Sequence, residues 1–257
     1  MGEISVITYN IRHDCSESIF VKRKKCSDGD EQDLIERIKG IIRTLTTHNP
    51  DIVCIQEIDS KNLGLLDSLS IEYDYYSYNR VPNLIMWKKS LYTKIDSGFF
   101  PIKGQISTID GKYKFQRTAS WILLINKASN DIFLIFNSHF DPYDNQFKKE
   151  SAEIIFDEAK KLNKDYNIII CGDFNSDLST DSLSALKENF NTTSNREQTQ
   201  SSCFNKQDGK MYDHIFWSRT LDSFHFEVIK EKRSNNRYSS DHLPVYAKLV
   251  KTHHITP

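Results

Sequence analysis

No stretch of this 257-residue chain is a Pro/Gly/Ser-rich linker, none is a long block of one charge, and no segment repeats. With nothing to divide it, residues 1–257 read as a single domain with a substantial core. No apolar run is long enough to cross a bilayer, so stable membrane insertion is not expected. Met1-Gly2-Glu3-Ile4-Ser5 has neither a charged leader nor a signal-type apolar region, and Val6 stands where a myristoylation pattern wants Ser or Thr. The five cysteines (Cys15, Cys26, Cys54, Cys171, Cys203) are odd in number, widely spaced and lack a C-x-x-C pair. That argues against a disulfide framework and a cysteine zinc site, and Cys54 and Cys171 read as small buried hydrophobes. A cytoplasmic, monomeric protein without an obligate protein partner is the expectation. Net charge is −1 and the pI about 6.7, so the broad positive field of a nonspecific duplex binder is missing. The most basic patch, Lys22-Arg23-Lys24-Lys25, reads first as a solvated loop and second as a contact to a phosphate backbone.

What the chain does have is apolar, β-rich runs. Ile4–Tyr9 is apolar on both faces, as a central strand is. Asp33–His48 then places Leu34, Ile35, Ile38, Ile41, Ile42 and Leu45 at helical spacing, and Asn49-Pro50 ends that helix. Further strands are predicted at Ile52–Glu57, Tyr73–Tyr78, Leu84–Trp87, Tyr92–Phe100, Ala119–Ile125, Ile132–Phe136, Ile168–Cys171, Tyr212–Trp217, Phe224–Ile229 and Leu243–Val250. Helices are predicted over Gln146–Leu162 and Ser182–Phe190, and a loop over Asn191–Gln207. Several strands follow one another directly while others alternate with helices, the pattern of a layered α/β or α+β sandwich.

Several strands end in chemistry. Val6-Ile7-Thr8-Tyr9-Asn10, Ile52-Val53-Cys54-Ile55-Gln56-Glu57 and Ile168-Ile169-Ile170-Cys171-Gly172-Asp173-Phe174-Asn175 run from apolar residues into amides and carboxylates. Ile132–Phe136 runs into Asn137-Ser138-His139, and Ser239-Ser240-Asp241-His242 opens the last apolar run. Taken singly, each has a structural reading. Glu57 could cap a helix or join a buried ion pair, although a hard cation is another partner for a carboxylate leaving a buried strand. Asp173 and Asn175 alternate around Phe174, which on an extended segment puts both on one side; an Asx turn is the other reading. Asp213-His214 and Asp241-His242 could be loop pairs, and a lone His139 is more often structural than catalytic.

Together, in this order along the chain, these motifs resemble those of the endonuclease/exonuclease/phosphatase superfamily, the deoxyribonuclease-I-like fold. Gly172-Asp173-Phe174-Asn175 and Ser240-Asp241-His242-Leu243-Pro244 are the most specific pieces. Thr8–His13, Pro50–Glu57 and Asn137-Ser138-His139-Phe140-Asp141 agree with them, so the likeness covers nearly the whole chain and points to its compact, stand-alone bacterial-type members. The resemblance implies a four-layer α/β/β/α sandwich, two packed mixed β-sheets flanked by helices. It also implies hydrolysis of a phosphate ester with Mg²⁺, Mn²⁺ substituting. On the matching positions Glu57 is the main metal ligand, with Asn10 and Asp241 close to the ion or the phosphate. Asp173 orients or deprotonates the attacking water, and Asn175 holds that geometry or a phosphate oxygen. His242 bears on the scissile phosphate with Asp213 fixing its ring, and His139 is the phosphate-side histidine. Arg117 is a further phosphate contact or a structural ion pair, and the role of Asp141 is open.

The substrate is not named by such a core. A phosphodiester, nucleic acid included, is the first expectation, with lipid or inositol phosphates (a phosphatase or sphingomyelinase type) as the alternative and a non-catalytic binding scaffold as the third. Phe99, Phe100, Tyr113, Trp121 and Tyr143 are candidate stacking surfaces for bases, weighed against ordinary core positions. The Asn137–Asp141 segment lacks the acidic His-Leu-Glu-Ser-Thr pattern of tyrosyl-DNA phosphodiesterases, which ranks that activity low.

Overall fold

Alternation along the strands sorts the apolar side chains into three separate layers, and three layers of core require four layers of secondary structure. The structure, a computed structural model, describes residues 2–12, 33–58, 63–64, 66–78, 83–105, 107–109, 113–115, 117–192 and 210–252. The basic run 22–25, the side chain of Tyr113, and Cys15, Cys26 and Cys203 lie outside the described residues.

The first sheet contains β1 (Glu3–Asn10), β2 (Ile52–Gln56), β3 (Tyr73–Tyr76), β4 (Asn83–Lys88), β13 (Leu221–Val228) and β14 (Val245–Lys251), in the order β13-β14-β1-β2-β4-β3. The second contains β5 (Tyr92–Pro101), β8 (Thr118–Asn126), β9 (Ile132–His139), β10 (Asn167–Asp173), β11 (Asn191–Thr192) and β12 (Asp213–Trp217), in the order β11-β12-β10-β9-β8-β5. A short hairpin, β6 (Ser107–Ile109) and β7 (Tyr113–Phe115), stands apart. The β1–β2 and β9–β10 pairs are parallel and the others antiparallel, so both large sheets are mixed.

Even-numbered Ile4, Val6, Ile52 and Cys54 of the first sheet meet odd-numbered Phe133, Ile135, Ile169, Cys171 and Ile215 of the second, forming the central core. Ile7, Tyr9, Val53 and Ile55 face the other way and pack under helix α1 (Leu34–His48) through Ile38, Ile41 and Leu45. Leu134, Phe136, Ile168 and Ile170 face away on the second sheet. They pack under α2 (Asn145–Leu162) and α3 (Ser184–Asn189) through Ala152, Ile155, Ala159 and Leu186. The predicted four-layer sandwich is the observed fold.

Local signals set the helix ends. The Asp33 carboxylate accepts the Glu36 N–H at 2.9 Å and starts α1, and Asn49, left-handed at φ 45°, stops it one residue before Pro50. Asp144 caps α2 by accepting from the N–H groups of Gln146 and Phe147. Gly172 has no tolerable replacement, because a Cβ there would overlap the Ser138 carbonyl oxygen of the neighbouring strand.

Four expectations change. The strand before Glu57 ends at Gln56, and Glu57 turns out of it at φ 62°. Polar Asn137-Ser138-His139 continues β9 rather than following it, because these residues keep the ladder to Cys171-Gly172-Asp173. The predicted helix 182–190 begins as a 3-10 turn over Asp181–Leu183, and Asn191–Thr192 pairs with β12 instead of starting a loop.

Candidate active site

The parity that builds the central core also builds the site. Asn10 continues the inward series Ile4, Val6, Thr8; Gln56 continues Ile52, Cys54; His139 continues Phe133, Ile135, Asn137; Asp173 continues Ile169, Cys171. Strand β12 runs antiparallel to β10, so Asp213, at its start, pairs with Asp173 and also faces inward. The loop before β14 brings His242 to the same end, where the polar tips from both sheets meet.

At the centre lies Asp173, 1% exposed. Its Oδ2 accepts the Asn10 amide N–H at 3.0 Å and lies 3.5 Å from His139 Nε2 and 3.7 Å from His242 Nε2. Its Oδ1 accepts the main-chain N–H of Asn175 at 2.9 Å. Burial and the neighbouring Asp213 carboxylate push the Asp173 carboxyl up to about 6, against the pull of His242, Asn10 and the Asn175 N–H. His242 Nδ1 sits 2.8 Å from Asp213 Oδ2. Burial would lower the His242 pKa, but the carboxylates of Asp213 and Asp173 outweigh it and hold the ring protonated well above the imidazole range.

Asn10 joins the two sides of the site. The same amide nitrogen that reaches Asp173 also donates to Glu57 Oε1 at 3.1 Å, while its oxygen accepts the Arg12 main-chain N–H at 2.9 Å. Ser240 Oγ donates to the Asn10 carbonyl at 2.7 Å and ties down the loop bearing half-buried Asp241 and His242. Arg12, Glu57 and Asn175, each just past a strand tip, adopt φ of 58°, 62° and 47°. A left-handed Arg or Glu costs about 1 kcal/mol, and such strain is found where side chains must be aimed.

Asp173 and Asn175 do not share one side of an extended segment. The N–H of Asn175 turns back onto Asp173, and its amide nitrogen donates to the Phe140 carbonyl at 3.2 Å, so the Asx-turn geometry prevails. Arg117 lies near Asp141, two residues past His139 in the chain. Burial would raise the Asp141 carboxyl, but the N–H groups of Gln105, Asp144 and Tyr143 and the Arg117 charge hold it below the usual range. Of the candidate stacking aromatics, Phe100 and Trp121 pack against the core under α2, Phe99 stacks on Tyr78 at 3.8 Å, and Tyr143 is 76% exposed.

The sequence reading missed the roles of Gln56 and Asn137. Gln56 Nε2 donates to Asn137 Oδ1 at 2.7 Å and to Thr8 Oγ1 at 2.9 Å, and Asn137 Nδ2 donates to the carbonyls of Ile55 and Leu84 at 2.8 Å each. This buried amide pair bolts the sheets together beneath the polar tips. Its signal was available: amides at inward-parity positions of otherwise apolar strands need partners across the gap.

Asp173, Asp213 and His242 offer donor atoms that all lie within 4.8 Å of one another, a geometry able to hold a metal ion. Both acids of that trio also raise the proton affinity of its histidine, so a cation there would compete with the ring proton. The oxygen donors of Glu57 and Asp241 suit a hard divalent ion better. A divalent ion therefore fits the donor chemistry of the residues present.

A sequence model of the Endonuclease/Exonuclease/phosphatase family matches residues 7–242. No curated protein sequence matches significantly. Among solved structures, a Bacteroides thetaiotaomicron endonuclease/exonuclease/phosphatase family protein is 23% identical with a TM-score of 0.81, covering 98% of this chain and 99% of its own. The mannosyl-6-phosphatase Bt3783 of the same organism is 23% identical at TM-score 0.78, over 96% and 99%. Danio rerio TDP2, in complex with a single-strand DNA product, is 18% identical at TM-score 0.74, over 98% and 100%. At these identities the structures establish the shared fold.

Proposed function

Because the chain belongs to the endonuclease/exonuclease/phosphatase family, we propose that it is a Mg²⁺-dependent phosphoester hydrolase acting by preference on phosphodiesters, nucleic acid among them. The observation that carries this reading is the line Asp213–His242–Asp173: a carboxylate behind a protonated imidazole, facing a second carboxyl whose pKa is pushed up to about 6. Two groups with their proton affinities driven apart in one buried cluster are an acid and a base.

A phosphate ester is an anion that repels nucleophiles, so its hydrolysis needs an oriented water, neutralised charge and a stabilised leaving oxygen. Asp173 takes the proton of the attacking water, with Asn175 and Asn10 fixing its two oxygens. His242, as imidazolium, faces the developing negative charge and gives its Nε2 proton to the leaving oxygen, while Asp213 fixes Nδ1. His139 and Arg117 contact the phosphate. Glu57 and Asp241, with Asn10 beside them, would hold the Mg²⁺, which would supply positive charge against the phosphate oxygens.

A phosphomonoesterase is the second reading, favoured by the net charge of −1, which offers no broad field for a polyanion. Hydrolysis of DNA, RNA, sugar phosphates, inositol phosphates and sphingomyelin, each with Mg²⁺, Mn²⁺ or EDTA, tests the assignment. Metal-dependent cleavage lost in His242→Ala is the expected result; folded wild-type protein inert on every ester would overturn it.

Two results follow from the same geometry. Plotted against pH, kcat/KM should rise through about 6 as Asp173 ionises and fall only well above the imidazole range as His242 loses its proton. A profile flat between pH 5 and 7 would remove Asp173 as the base. Glu57→Gln should raise the half-saturating Mg²⁺ concentration by about 10- to 100-fold; an unchanged Mg²⁺ titration would take Glu57 out of the metal site.

A further inference from the structure

Helix α1 lies on the outer face of the first sheet, yet one of its side chains reaches both chain segments that frame the site. Arg37 is 1% exposed, on the inward face of the helix with Ile38 and Ile41. A guanidinium this deeply buried must find acceptors for its N–H groups. Nη2 donates to the carbonyls of Ile11, at 2.5 Å, and of Arg12, and Nε donates to the Ser239 carbonyl at 3.2 Å. The first two carbonyls lie just past Asn10, and the third lies just before Ser240-Asp241-His242.

The rest of that helix face holds the same incoming segment. Gly40, one turn on from Arg37, lies so close to Ser239 that a Cβ would overlap its hydroxyl. Arg43 Nη2 donates to the Lys232 carbonyl at 3.1 Å, Thr44 Oγ1 to Glu231 at 3.3 Å, and His48 Nε2 lies 3.1 Å from Glu231 Oε1. The helix thus fixes residues 231–239 along its length, and through Arg37 ties them to the exit of β1.

We infer that Arg37 is a positioning residue, a clamp that sets the distance between the Asn10–Glu57 side of the site and the Asp241–His242 side. Its catalytic consequence rests on the hydrolase reading above. A planar fork holds two segments in one fixed geometry, which the rotating donors of a lysine ammonium do not. Displacement of about 1 Å between reacting groups can cost about 100-fold in rate without loss of binding.

Arg37→Lys keeps the charge and most of the volume, so it is the primary test. Expected is a kcat lower by about 30-fold or more with KM within about threefold. Hydrogen exchange should quicken in residues 10–12 and 231–242 together, with β9 and β10 unchanged. In Arg37→Ala, millimolar guanidinium should restore about tenfold of the lost rate while leaving wild type unaffected. A folded Arg37→Lys protein with wild-type exchange in both segments, or with wild-type kcat, overturns the clamp. An inert wild type would instead sink the hydrolase reading alone and leave the exchange measurement to decide the clamp.

Discussion

Asp213→Asn is expected to lower kcat by about a thousandfold or more while the protein stays folded. Asp213 is fully buried, and its Oδ2 sits 2.8 Å from His242 Nδ1. An asparagine of the same shape presents either an amide N–H, which drives the ring proton to the wrong nitrogen, or a neutral oxygen that no longer supports an imidazolium. Either way the acid is lost while the packing survives. Circular dichroism and a melting curve close to wild type, beside a single-turnover assay, separate this from unfolding. A folded Asp213→Asn protein at full rate would dissolve the pairing.

Asp173→Asn should abolish turnover and leave the protein as stable as before, or more so, above pH 7. The physical reason is the sign of its linkage. Its carboxyl has an ordinary value of 3.8 and is raised to about 6 in the fold, so the folded chain holds the proton more tightly than the unfolded chain does. The stability this confers is complete below about pH 4 and is lost as pH rises through about 6. The gap corresponds to at most about 3 kcal/mol. Asparagine removes that penalty, although it replaces an oxygen that accepts from Asn10 or Asn175 and gives part of it back. The expected result is an inactive variant whose melting temperature at pH 8 is level with wild type or several degrees higher, with a flatter pH dependence between 4 and 6. A marked fall in stability at pH 8 would mean that Asp173 is structural first.

Much of this was legible before any coordinates. The apolar runs Ile4–Tyr9, Ile52–Ile55 and Ile168–Cys171 give the buried strands, and the polar residues that end them mark one edge, because side chains along a strand keep their period of two on folding. The Asp213–His242 pairing came only with the family resemblance, since no local pattern relates residues 29 apart in the chain. What sequence could not supply was geometry that depends on a second segment. Asn175 left its expected face because the Phe140 carbonyl and the Asp173 oxygen both drew it into a turn. Arg37 sat unremarked in a helical stripe because its acceptors are main-chain carbonyls, which every residue has and which no composition reveals.

The division of the site between distant parts of the chain also has a consequence in time. Asn10 and Glu57 are made before Asp173 and Asp213, and His242 after all four, while β14 must arrive before β1 gains its second neighbour. At the usual pace of synthesis, residues 57 and 241 emerge roughly ten to forty seconds apart. During that interval the growing chain carries a half-built first sheet with an open edge, and no His242 to face Asp173 and Asp213. A ribosome-bound intermediate of this protein is therefore vulnerable to pairing at that edge until the last strand of the sheet closes it.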